Sequence, residues 1–120
     1  MSHIVQIRTQ VRDATALQAA CQRLGLAAPI EANVKLFTAS AHGHAVNLPG
    51  WRYPVVFQLA SGEVQYDDFS GRWGNQSELN RLLQMYATEK AKLESRRRGH
   101  AVTEQLLADG SIKLTIQVGA

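Results

Sequence analysis

The chain has 120 residues, a formal net charge of +3 at pH 7 and a single cysteine, Cys21, so an intrachain disulfide is excluded. With 45% apolar and 19% charged residues it can close one hydrophobic core without a metal or a cross-link. No apolar run approaches the roughly 20 residues of a membrane helix, and no basic-then-apolar leader opens the chain, so the expectation is a single cytoplasmic domain over residues 1–120 with no membrane association.

Val5, Ile7, Thr9 and Val11 alternate with Gln6, Arg8 and Gln10, and this period of two predicts a strand over about residues 3–11. Asp13 offers an N-cap to a first helix whose buried stripe is Leu17, Ala20, Cys21 and Leu24, with Gly25 just past its end. Ile30, Ala32, Val34 and Leu36 alternate again as a second strand. Residues 40–53 carry two glycines, a proline, an asparagine and the pair His42 and His44, and read as the longest irregular stretch. Residues 55–59 and 63–69 are short strands around a two-residue turn at Ser61 and Gly62, which pairs Leu59 with Val64, Phe57 with Tyr66 and Val55 with Asp68.

A second helix begins at Asn75, with Glu78 completing a capping-box pattern or Ser77 capping instead, and stops at Gly99. At 1.5 Å per residue it is about 33 Å long, so its last turns overhang a small sheet. Asp109 and Gly110 then mark a type I′ hairpin pairing Leu107 with Ile112, Gln105 with Leu114, Thr103 with Ile116 and Ala101 with Val118. The expected order is β-α-β-β-β-α-β-β. It describes an α+β fold, an antiparallel sheet with two helices packed on one face, in the manner of a ferredoxin-like core with extra strands.

Lys90 falls in the middle of the second helix's apolar stripe of Leu79, Leu82, Leu83, Tyr86 and Leu93. The plain reading is a lysine whose stem packs while its ammonium reaches water. The sharper one is an ion pair with Asp68 on the facing strand. A catalytic role would require a depressed pKa in a cleft. His42 and His44, with His100 or His3, are weak candidates for a metal site, because no cysteine accompanies them.

Arg96, Arg97 and Arg98 close the second helix, where cations offset the macrodipole. The same cluster is a candidate phosphate-contacting surface on nucleic acid, although Glu89 and Glu94 interrupt it. Trp51, Arg52, Tyr53, Arg72 and Trp73 put aromatics and arginines into two loops, either as core anchors or as interface residues. No P-loop, G-x-S-x-G, G-x-G-x-x-G, C-x-x-C or H-E-x-x-H pattern occurs, so no catalytic residue and no cofactor is assigned.

The opening Met1, Ser2, His3, the run Ile7 to Asp13 (IRTQVRD), Leu24-Gly25, Trp73-Gly74, Tyr86-Ala87-x-x-Lys90 and the ending G-x-x-V-x-E…DGSIKL together resemble one uncharacterised family. It is the domain of unknown function twelve-fifty-seven, which includes the plastid hypothetical reading frame thirty-five protein. The resemblance covers nearly the whole chain, but residues 42–54 (HGHAVNLPGWRYP) depart from the plastid-type members. It implies an accessory role beside an AAA-type ATPase and no established activity.

The expected function is therefore a non-enzymatic interaction or adaptor module with a protein partner. The alternatives are a nucleic-acid-binding protein and a small metal- or lysine-dependent enzyme. An unpaired edge strand would allow a homo-oligomer.

Overall fold

A computed structural model of the chain describes residues 4–37, 39–67, 71, 72 and 74–118. The first strand, β1 (Ile4–Arg8), leads into helix α1 (Ala14–Arg23). Four strands follow: β2 (Ile30–Lys35), β3 (Ser40–Val46), β4 (Val55–Gln58) and β5 (Glu63–Asp67). Helix α2 (Gln76–Arg97) then precedes β6 (Ala101–Leu106) and β7 (Ile112–Gln117).

The helix ends obey local chemistry. The Asp13 carboxylate accepts the amides of Thr15 and Ala16 at 2.9 and 3.2 Å, and Asn75 Oδ1 accepts Ser77 N at 2.9 Å. At the far end of α1 the Leu26 amide returns to the Cys21 carbonyl at 2.8 Å, and after α2 the His100 amide returns to Ser95 at 2.9 Å. Gly25 and Gly99 supply the left-handed residue that each return needs, with φ of 73° and 77°.

Five strands form one sheet in the order β1-β5-β4-β3-β2, and all neighbours are antiparallel. The α+β class and the helices' shared face are as the pattern predicts. The detailed topology departs from a ferredoxin-like core. Residues 40–46 are not irregular: they are β3, so β2, β3, β4 and β5 form an uninterrupted meander. That meander supplies four of the five strands and leaves β1 an edge beside β5. β1 and β2 end on opposite edges, with α1 carrying the chain between them.

The core lies between the helices and one sheet face. Leu17, Ala20 and Cys21 of α1 and Leu79, Leu82 and Tyr86 of α2 meet Val46, Val55, Phe57, Val64 and Tyr66. A smaller cluster of Leu36, Ala41 and Val56, with Ile4, Val34 and Tyr53 against it, occupies the other face. The β4–β5 register is Phe57 opposite Val64, two residues from the expected pairing, because a four-residue loop replaces the two-residue turn. A shift of two preserves the side-chain period, so Val55, Phe57, Val64 and Tyr66 still share the buried face.

β6 and β7 form a separate two-stranded ribbon. Here Leu106 faces Ile112, one residue from the expected pairing. The Gly110 amide bonds the Leu107 carbonyl at 3.0 Å, and the Leu107 amide bonds Ser111 O at 2.9 Å. With Gly110 at φ 87°, these bonds close a three-residue loop with a left-handed glycine in place of the type I′ turn. A shift of one does change faces. Val102, Glu104 and Leu106 now lie beside Ile112, Leu114 and Ile116, where Thr103 and Gln105 were expected.

The ribbon rests against α2, and the Gln84 side chain reaches Gly110 O at 3.5 Å. At about 100° per residue, the buried Thr88 and Ser95 lie on the opposite side of α2 from Leu82 and Leu93. The ribbon therefore covers the final turns that were expected to overhang, and α2 is a middle layer.

β3 tolerates no side chain at position 43. A Cβ on Gly43 would stand 2.5 Å from the Phe57 carbonyl oxygen. Gly43→Ala should lower unfolding free energy by about 1–3 kcal/mol, measured by urea denaturation. A loss below about 0.5 kcal/mol would show that β4 does not approach β3 this closely.

Candidate functional site

Among the described residues, two ionic clusters, an aromatic anchor and an exposed apolar ribbon stand out chemically. The first cluster is built on Tyr86, which α2 places beneath the bend between β1 and α1. Its hydroxyl accepts the amides of Arg12 and Asp13, both at 3.1 Å, and donates to Gln10 O at 3.4 Å. The bend is thereby fixed to α2, and Asp13 is held with one carboxylate oxygen on the α1 amides and the other facing α2.

Lys90 Nζ donates to Asp13 Oδ2 and to Glu94 Oε1, each at 2.9 Å. Arg97 joins the same two acids, at 3.8 Å from Asp13 and 2.9 Å from Glu94. Of the expected Lys90–Asp68 pair, Asp68 lies outside the described residues. Donation to Glu94 first and to Asp13 second raises the Lys90 pKa, and the bond from Lys90 lowers that of Asp13. A nucleophilic lysine needs the opposite shift, so this ammonium is an electrostatic tie. Beside it is a groove of about 420 Å³ lined by Thr9, Val11, Leu83, Tyr86 and Ala87.

The second cluster joins three elements. Arg23 of α1 grips Glu104 of β6 with both terminal nitrogens, each at 2.7 Å, and also reaches Glu89 of α2 at 3.1 Å. Lys92 bridges Glu89 at 3.3 Å and Glu104 at 3.2 Å. The bidentate bond from Arg23, with Lys92 in support, holds the Glu104 carboxyl down to about 2, and Glu104 in turn raises Arg23. Glu104 can serve here only because the ribbon register turns it toward the helices. With the type I′ register it would point away.

Trp51 is a structural anchor. Its ring meets Tyr66 edge-on at 5.4 Å between centroids, its Nε1 donates to Asn75 O at 3.1 Å, and Gly74 lies too close to the indole to carry a Cβ. The Arg52 guanidinium sits 5.7 Å from the centre of the Tyr53 ring. Arg72 is exposed, and Trp73 lies outside the described residues. Trp51 contacts the start of α2 while Arg96, Arg97 and Arg98 end it, about 33 Å away. The structure does not unite these two groups of candidates. All three arginines are exposed, and Arg97 is in addition engaged by Glu94 and Asp13.

His42 and His44 lie on β3, on the helix-side face of the sheet. His42 Nδ1 is 2.8 Å from Asn33 Oδ1, and its Nε2 is 3.9 Å from Glu31 Oε2. No group of three His, Cys, Asp or Glu side chains able to hold a metal occurs among the described residues. His3 is outside them.

The ribbon carries the surface that sequence reading missed. Leu106 and Val118 are 73% and 77% exposed and Ile116 is 41% exposed. The apolar alternation of β7 is plain in the sequence, but which β6 residues share its face depends on the turn, and the three-residue loop sets them one position from the type I′ pairing.

The chain matches no family model, no curated protein and no solved structure. No helix among the described residues is long and apolar enough to cross a membrane.

The depressed Glu104 carboxyl gives a signed expectation. Its contribution is complete above the unfolded value of 4.5 and is lost as pH falls from there through about 2. Glu104→Gln should melt about 4 °C below the unaltered chain at pH 7, for about 1 kcal/mol, and this gap should close over that acidic range. A gap independent of pH would mean that packing, and not the carboxylate, holds β6. Lys90→Met should cost no more than about 1 kcal/mol in thermal melts, because Asp13 keeps its amide donors and Arg97.

Proposed function

We propose that this chain is a non-enzymatic protein-interaction module, an adaptor, and that the β6–β7 ribbon is its contact surface. One observation carries the reading. The apolar face of the ribbon is only partly covered, and Leu106, Ile116 and Val118 stay in water. A two-stranded ribbon is marginal on its own, and this one is fastened by the Arg23, Glu89, Lys92 and Glu104 cluster. A ribbon tied to both helices by ion pairs, with a wet apolar flank, suits docking of another protein surface.

The engagement of Arg97 by Asp13 and Glu94 weakens the alternative of a nucleic-acid surface at the end of α2. The family resemblance adds an AAA-type ATPase as the first partner class to test.

The test compares proteins captured by the unaltered chain with those captured by Leu106→Glu combined with Val118→Glu. Both positions are exposed, so the melting temperature should stay within about 2 °C while a specific partner is lost. Equal capture by both proteins would remove the ribbon from the interface. A partner released instead by modest salt and competed by nucleic acid would favour the cationic alternative.

A further inference from the structure

We infer that β2 is a self-complementary edge through which two copies of this chain pair, antiparallel, to double the five-stranded sheet. The inference concerns a surface distinct from the ribbon and does not rest on the adaptor reading.

The backbone determines which groups face outward. The Leu36 amide donates to Ala39 O at 2.7 Å and closes the β2–β3 hairpin. Hydrogen-bonded positions recur every second residue along an antiparallel pair, so Val34, Ala32 and Ile30 also direct their backbone groups toward β3. Glu31, Asn33 and Lys35 direct theirs away from the sheet, because β2 is its terminal strand. The strand is regular over six consecutive pairs, with no bulge and no proline inside it. Edges that avoid pairing usually carry such interruptions.

A two-fold axis through Asn33, perpendicular to the sheet, sets Asn33 opposite Asn33 of the second copy. Glu31 then stands opposite Lys35 of the second copy, and Lys35 opposite Glu31, both on the helix-side face. On the other face the exposed Ile30 stands opposite Leu36, which is buried in its own chain, and Ala32 opposite the half-buried Val34. Each outward pair exchanges two backbone hydrogen bonds.

Both faces are thus satisfied by one register: opposite charges on one side, apolar contact on the other. Ile30 is 66% exposed and gains cover. Among the described residues Glu31 is paired with His42 alone, at 3.9 Å between two largely exposed side chains, which holds it weakly. The helices leave this rim open, since Glu31, Asn33 and Lys35 are all exposed.

The other edge lacks this complementarity. Centring β1 on Gln6 sets Ile4 opposite Arg8 of a second copy, and both Gln6 and Arg8 already contact Glu63.

Sedimentation equilibrium up to about 1 mM protein tests the inference and should show a monomer–dimer equilibrium. Asn33→Pro deletes an outward amide, leaves the β2–β3 bonds intact and should yield a folded monomer. Glu31→Lys alone, or Lys35→Glu alone, sets like charges opposite and should weaken the dimer about tenfold. The double exchange should restore it, and this rescue tests the register even if the proline variant does not fold. A chain that stays monomeric at 1 mM, or a dimer indifferent to Asn33→Pro in a folded variant, overturns the inference. So does a double exchange no tighter than either single change, or a dimer broken by Leu106→Glu alone.

Discussion

Much of this molecule depends on α2 having two working sides. A helix packed only against the sheet would leave its last turns in solvent and would give β6 and β7 nothing to rest on. Here Leu79, Leu82 and Tyr86 bury into the sheet-side core, while Thr88 and Ser95 are buried on the opposite side where the ribbon lies. A small two-stranded sheet cannot hold itself together in water, so that second contact decides whether the C-terminal strands exist as structure. The carboxylate of Glu104 is central to it, because it meets a guanidinium from α1 and an ammonium from α2 at once. The charges of that cluster are paired and do not form a field that would draw in a polyanion.

Which parts were legible in the sequence follows from the arithmetic of strands and turns. Both helices could be read because their caps are local: Asp13 and Asn75 at the starts, Gly25 and Gly99 at the stops. The β4–β5 pairing was misjudged by two residues, yet its buried face was right, because the side-chain period is two. The β6–β7 pairing was misjudged by only one residue, and its face was wrong. The larger numerical error was thus the harmless one. β3 was hidden because His42, Gly43 and His44 break apolar alternation at an interior position. Gly43 is there for close approach to Phe57, a reason visible only once the neighbouring strand is placed.

The candidate site was legible as residue types and obscure as geometry. Lys90 stood out as a cation on an apolar stripe, and the structure does give it acidic partners. They come from the cap of the other helix and from its own next turn. No pattern within a single element announces a contact between residues 13 and 90, because it is created by the Tyr86 hydroxyl holding the β1–α1 bend against α2. The aromatic loops resolve the other way. Trp51 is spent on Tyr66 and Asn75, so a residue type common in interfaces serves here to fasten the entry to α2.

Cys21 has a practical meaning beyond its place in the core. Its side chain is fully shielded beneath α1, and burial pushes the thiol up to about 11 from 9.0. Two barriers therefore protect it, access and protonation, and both disappear together when the helix layer lifts from the sheet. Because the chain has no second cysteine, the rate at which an alkylating reagent finds this thiol counts openings of one defined interface, reported by the native sequence without an added probe.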